Sequence, residues 1–215
     1  ILFQQRPPPL SATHIYMDRE EQPRGACAVL VDAAGPPGAY VAAGQQAPEH
    51  GTRGGLNWCM PQQKPHDGSE PAVPLWVITT HLSHKPSSEE QRRQARQLLE
   101  WIDDIRSSHA GTARPGFVLC GDLNAPPFVP RSAYSTITSD GRWQDLWRER
   151  GTICCQATFP SACGTTACGI RIDHLLALRD AGAARLLCEK IRILGDLDAD
   201  ASDHFAVAAD LVIEC

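Results

Sequence analysis

Four short stretches of this chain hold residues able to do acid–base or ligand chemistry. They are His81 in Thr79-Thr80-His81-Leu82, Asp122 and Asn124 in Gly121-Asp122-Leu123-Asn124, Asp173 in Arg171-Ile172-Asp173-His174, and Asp203 with His204 in Ser202-Asp203-His204-Phe205. Imidazole titrates near neutrality, and carboxylates and amides are the oxygen donors that hard divalent cations take. Asp173 is the sharpest signal, because it falls inside the apolar run 170–176. A carboxylate there is costly unless it is paired or bound to a metal. Each stretch also has a plainer alternative. Gly121–Asn124 alone reads as a turn, since Gly, Asp and Asn favour turns. Ser202–His204 reads as a loop or cap, Asp173 as a partner of Arg171, and His81 as a structural histidine.

The elements that must position these residues are legible from pattern. Residues 26–31 are rich in small and β-branched types and end at Gly35-Pro36-Pro37, which predicts a strand. Residues 75–80 predict another, running straight into His81. Pro86-Ser87-Ser88 then announces a helix, with Ser87 and Glu90 spaced as a capping box. Ala95, Leu98, Leu99, Ile102 and Ile105 recur at helical spacing and define its inward face, while Arg92, Arg93 and Arg96 read as a solvated one. Residues 117–120 form a short buried strand, so 75–120 is a β-α-β crossover. A short helix is expected at 142–150, with strands at 170–176, 186–194 and 205–213. The fold class is a mixed α/β layered fold with a central sheet. Residues 35–74, dense in Gly, Pro, Gln and His and including Gly54-Gly55, read as an insertion into a single domain covering 1–215.

The 215 residues, 42% hydrophobic and 21% charged, suit one globular domain. A net charge of −5 argues against gripping nucleic acid through bulk positive charge, though not against a local basic groove. No apolar run reaches the ~20 residues that a transmembrane helix needs. None of the nine cysteines forms a C-x-x-C pair, which argues against a zinc ribbon. Cys154, Cys155, Cys163 and Cys168 crowd one stretch, compatible with a reduced chain and with a local disulfide alike. His174 reads as packing, and His14, His50, His66, His84 and His109 receive no role.

In order, the T-H-L, G-D-L-N, R-I-D and S-D-H motifs resemble the signature series of the DNase I-like endonuclease/exonuclease/phosphatase superfamily, as does Arg92-Arg93-Gln94-Ala95. The resemblance implies a DNase I-like layered α/β sandwich and a metal-dependent phosphoester hydrolase. It implies Mg2+, with Mn2+ as substitute, because a phosphodiester repels nucleophiles until its charge is neutralised. Asp203 is then a metal ligand. Asp122 orients and deprotonates the attacking water, and Asn124 holds the phosphate or a metal-bound water. Asp122 and Asn124 also border the metal. His204 contacts the scissile phosphate, Asp173 keeps that imidazole protonated, and His81 stabilises the leaving group or phosphate. Thr158, with Phe159, shapes the pocket on the substrate side. The implied substrates are lipid headgroups, small phosphodiesters or nucleic acid, and the T-H-L form with the acidic balance leans towards the first two. Two upstream features of the family, a strand-end asparagine and the glutamate of a Q-E motif, have no counterpart here. The expectation is therefore a sequence beginning after that glutamate, with weakened metal binding. The alternative is a catalytically impaired scaffold or binding module.

Overall fold

A computed structural model describes residues 11–17, 24–32, 40–42, 73–85, 87–108, 114–152, 156–160, 169–194 and 202–214. Among these residues, nine strands and three helices follow one another as β1 (Ser11–Met17), β2 (Arg24–Asp32), β3 (Tyr40–Ala42), β4 (Pro74–His81), α1 (Glu89–Ser108), β5 (Gly116–Asp122), α2 (Ala133–Thr138), β6 (Trp143–Asp145), α3 (Leu146–Arg150), β7 (Asp173–Leu178), β8 (Arg185–Leu194) and β9 (Ala206–Glu214). Six strands make a mixed sheet ordered β1-β2-β4-β5-β7-β6, and three make a second sheet ordered β3-β9-β8. The expected crossover is present: β4 and β5 pair in parallel with α1 between them.

Side-chain alternation along the central strands builds two cores. Trp76 and Ile78 of β4, Phe117 and Leu119 of β5, and Leu176 and Leu178 of β7 face a layer formed by α1 and α2. Their neighbours Leu75, Val118, Cys120, Leu175 and Ala177 face the second sheet, where Leu186, Cys188, Ile191, Val207 and Ala209 meet them. A strand covered on both faces should read as an unbroken apolar run, and β5 does. The result is three layers, helices over mixed sheet over antiparallel sheet.

Registers at the far end of the large sheet bring candidate residues together. Gly25 lies opposite His81, His81 opposite Asp122, and Asp122 opposite Asp173. Three candidate residues thus share one row, on the face of the sheet that looks towards β9. Gly121 makes the row possible. Its φ is +136°, and a Cβ there would sit 2.0 Å from the Thr80 carbonyl oxygen. Gly121→Ala is therefore expected to cost at least about 3 kcal/mol, combining backbone strain with overpacking. A urea midpoint within error of the parent's would contradict this placement.

Several expectations shift. Strand β1 was not foreseen, although Ile15 and Met17 join the helix-side core. Helix α2 has the weak helix formers Ser and Thr, and Ser132 with Ser135 closes a capping box around its start. The segment 142–150 splits into β6 and α3, with Asp145 capping Trp147. On α1 the cap is Ser88, whose Oγ accepts from Gln91 N at 3.0 Å; Ser87 has φ +62°, and Glu90 is buried against Ser83. Within the expected insertion, Tyr40–Ala42 form β3, which pairs with β9; residues 35–39 and 43–72, including Gly54-Gly55, lie outside the described residues. So do Cys154, Cys155, Cys163 and Cys168. Cys27, Cys120 and Cys188 are free thiols.

Candidate active site

The end of the parallel pair β4–β5 presents His81 and Asp122 side by side. Asp122 is buried; its Oδ2 lies 3.2 Å from Nε2 of the exposed His81. Its Oδ1 accepts from Asn124 N at 2.7 Å, which curls the chain back into a tight turn. Asn124 closes that turn in the left-handed region, φ +49°, a conformation asparagine tolerates. Its Nδ2 donates to Leu82 O at 3.0 Å, locking the β4 and β5 exits together. Asp173 opens β7 across from Asp122. His204 arrives from the second sheet, just ahead of β9, and its Nδ1 meets Asp173 Oδ2 at 2.8 Å.

Asp122, Asp173 and His204 each offer a ligand atom, and those atoms lie within 4.8 Å of one another. Burial alone would depress the His204 pKa. The Asp173 hydrogen bond and the charges of Asp173, Asp122 and Asp203 outweigh it and hold the imidazole above its ordinary value. A charged ring with Nδ1–H on Asp173 has Nε2–H left to donate. Asp203 is exposed, outside the three-residue group, and acts on His204 through its charge.

Thr158 departs from its expected place on the substrate. It is fully buried, and its hydroxyl accepts from Ile172 N at 3.0 Å and Asp173 N at 3.1 Å. Its carbonyl accepts from Phe205 N at 2.8 Å. Thr158 therefore straps the start of β7 to the start of β9, positioning Asp173 and His204 from below. The Phe159 ring leans on His204 at 4.9 Å between centroids.

Two supports escaped the sequence reading. The first two turns of α1 brace the strand exits through buried amides. Gln94 Oε1 accepts from Ser83 N at 2.8 Å, and Gln91 Nε2 donates to the carbonyls of Ser83, Leu123 and Asn124. Their signal was available, since Gln91 and Gln94 extend upstream the buried stripe of Leu98 and Ile102. The second support is a buried network one layer down. Arg171 grips both oxygens of Asp145 at 3.2 and 2.7 Å, and Tyr134 Oη donates to Asp145 at 2.8 Å. Burial would raise the Asp145 carboxyl, but the guanidinium holds it below its usual value. Arg171 Nη1 also donates to His174 Nδ1 at 3.1 Å, because guanidinium has no acceptor. His174 must then carry its proton on Nε2, which donates to Ala125 O at 2.9 Å. Burial, then the Arg171 charge, push its pKa down to about 3, so the ring is neutral. His174 does pack, as expected, against Tyr134 at 4.8 Å.

No protein-family model and no curated protein matches this sequence. Solved structures do. A mannosyl-6-phosphatase of Bacteroides thetaiotaomicron superposes with TM-score 0.64 at 14% identity, over 95% of this chain and 66% of that one. An endonuclease/exonuclease/phosphatase from Bacteroides vulgatus gives 0.62 at 16% identity, over 96% and 66%. The human Nocturnin catalytic domain with bound sulfate gives 0.58 at 13% identity, over 96% and 60%. This chain thus spans 60–66% of the length of these three structures.

Proposed function

We propose that this chain, which has the fold of the endonuclease/exonuclease/phosphatase proteins, carries the catalytic centre of a divalent-metal-dependent phosphoester hydrolase in which water attacks phosphorus. The observation that carries the reading is the meeting of Asp122, Asp173 and His204 within 4.8 Å from three separate parts of the chain. An oxygen-rich donor set suits a hard cation, magnesium or manganese. Asp122 would hold it, with Asp203 and Asn124 alongside. When bound, such an ion supplies positive charge against the phosphoryl oxygens and acidifies water. Around it, the chain's own residues divide the work. Asp173 keeps the His204 imidazole charged and oriented, so that Nε2–H donates to a phosphoryl oxygen. Asp122 accepts a hydrogen from the attacking water and aims it at phosphorus. His81, exposed beside Asp122, faces the oxygen that departs. The sulfate of the Nocturnin domain has the shape and charge of the group this arrangement would meet.

The test is rate against magnesium and manganese concentration over a panel of phosphoesters: a phosphomonoester sugar, a dinucleotide and a sphingomyelin-type headgroup. Turnover is expected to vanish with chelator and to respond to manganese at lower concentration than magnesium. Asp203→Ala should raise the metal concentration needed for half-maximal rate, without unfolding the chain. Turnover equal with and without chelator would refute the metal-dependent reading. Substrate binding with no turnover at saturating metal would favour a scaffold or binding module of the same fold.

A further inference from the structure

Among the described residues, three large hydrophobic side chains are exposed: Tyr16 at 79%, Phe128 at 76% and Ile170 at 39%. Isolated apolar residues on a surface are ordinary. Tyr16 sits edge-on to His14 along β1, and Ile170 pairs with Phe159. Phe128 is different in where it stands and in how firmly it is held. It lies four residues beyond Asn124, in Ala125-Pro126-Pro127-Phe128-Val129-Pro130, so at most about 14 Å of chain separates it from the candidate site.

The turn that displays Phe128 is braced on every side. Val129 N closes it onto Pro126 O at 3.1 Å, and the prolines fix φ on either side of the ring. Ala125 O is held by His174 Nε2 at 2.9 Å, Val129 O by Ser132 Oγ at 2.8 Å, and Pro130 O by Ser87 Oγ at 3.0 Å. Arg131 O is held by Arg92 Nη1 at 3.3 Å. An aromatic ring held out on a stiff turn loses little further freedom when it engages a ligand. An acyl chain or bilayer would need a wider apolar surface. Instead, among the described residues of this turn and of the Leu82–Ser88 loop bonded to it, those exposed besides Phe128 are His84, Lys85, Pro130 and Arg131. A lone ring on a surface that also exposes Lys85 and Arg131 suits one planar group joined to phosphate, because base–aromatic stacking needs only a π-face.

We infer that Phe128 is a stacking platform for a nucleobase joined to the scissile phosphate, and so a specificity-determining residue of the hydrolase proposed above, on which this inference rests. The experiment pairs base-bearing with base-free probes in magnesium buffer. Thymidine 5′-phosphate and deoxyribose 5-phosphate are titrated by calorimetry; a thymidine dinucleotide and its base-free counterpart are assayed for turnover. Phe128→Ala is expected to weaken thymidine 5′-phosphate binding and to raise the dinucleotide KM about 5- to 150-fold. It should leave kcat and both base-free probes unchanged, and Phe128→Trp should restore the parent values. Equal effects on base-bearing and base-free probes would overturn the platform, as would a parent that binds both alike. So would a Phe128→Ala defect confined to sphingomyelin vesicles. Base-selective binding through Phe128 without turnover of either dimer would sink the hydrolase reading and leave the platform standing. Turnover of both dimers with equal KM would do the reverse.

Discussion

Asp122→Asn should lower metal-stimulated phosphoester turnover by about 10²- to 10⁴-fold, the range that a positioned general base contributes. The substitution is nearly isosteric. An amide oxygen can still accept from Asn124 N, so the turn after β5 keeps its 2.7 Å closure. What disappears is negative charge in a group that also holds Asp173 and His204. Water loses its hydrogen acceptor, and any cation loses an anionic donor. The Michaelis constant should move less than kcat if metal is kept saturating, because substrate contacts through His204 remain. Rates measured at saturating manganese, beside a thermal melt to show an intact fold, decide the matter. Retention of more than a third of the parent rate would remove Asp122 from the chemistry.

Arg171→Met should destabilise the fold by about 3–5 kcal/mol, the cost of leaving one partner of a buried ion pair uncompensated. Side chains of Arg171 and Asp145 are only 3% and 2% exposed, so water cannot replace the lost guanidinium. Tyr134 and Trp147 N would still donate to the stranded carboxylate, and His174 would lose the donor that sets its tautomer. A double variant, Arg171→Met with Asp145→Leu, should recover part of the loss, since no charge is then stranded. Equilibrium denaturation of the parent, the single variant and the double variant measures both effects. A single-variant loss under about 1 kcal/mol would mean that the pair is not buried as the packing shows.

How much of this was readable beforehand depends on range. Strand-end acids and histidines were legible because each interrupts or terminates an apolar run, and Asp173 is the clearest case. The crossover between β4 and β5 followed from local period alone. What could not be read was alignment. Nothing in the separate runs 75–80, 117–120 and 170–176 says that His81, Asp122 and Asp173 fall into one row, since register is settled by pairing between distant segments. Thr158 misled for a similar reason. A threonine hydroxyl in a loop carries no sign of facing solvent or spending itself on two backbone amides. The cap of α1 slipped by one residue because Ser87 and Ser88 are chemically alike and only the backbone distinguishes them. The partnership of Arg171 with Asp145 spans a separation of 26 residues, beyond any local pattern.

The pairing of β2 with β4 has a practical corollary. The row of His81, Asp122 and Asp173 lies at the Gly25–His81 end of that ladder, whereas the connection between the two strands leaves from the opposite end, at Asp32 and Pro74. Seven strand residues separate the ends, about 23 Å at the usual rise. Both attachment points of that connection therefore stand across the sheet from the candidate site. Anyone wishing to fit a fluorophore, an affinity handle or a second module to this protein has a natural port there, where the graft's two roots begin a full strand length away from that row.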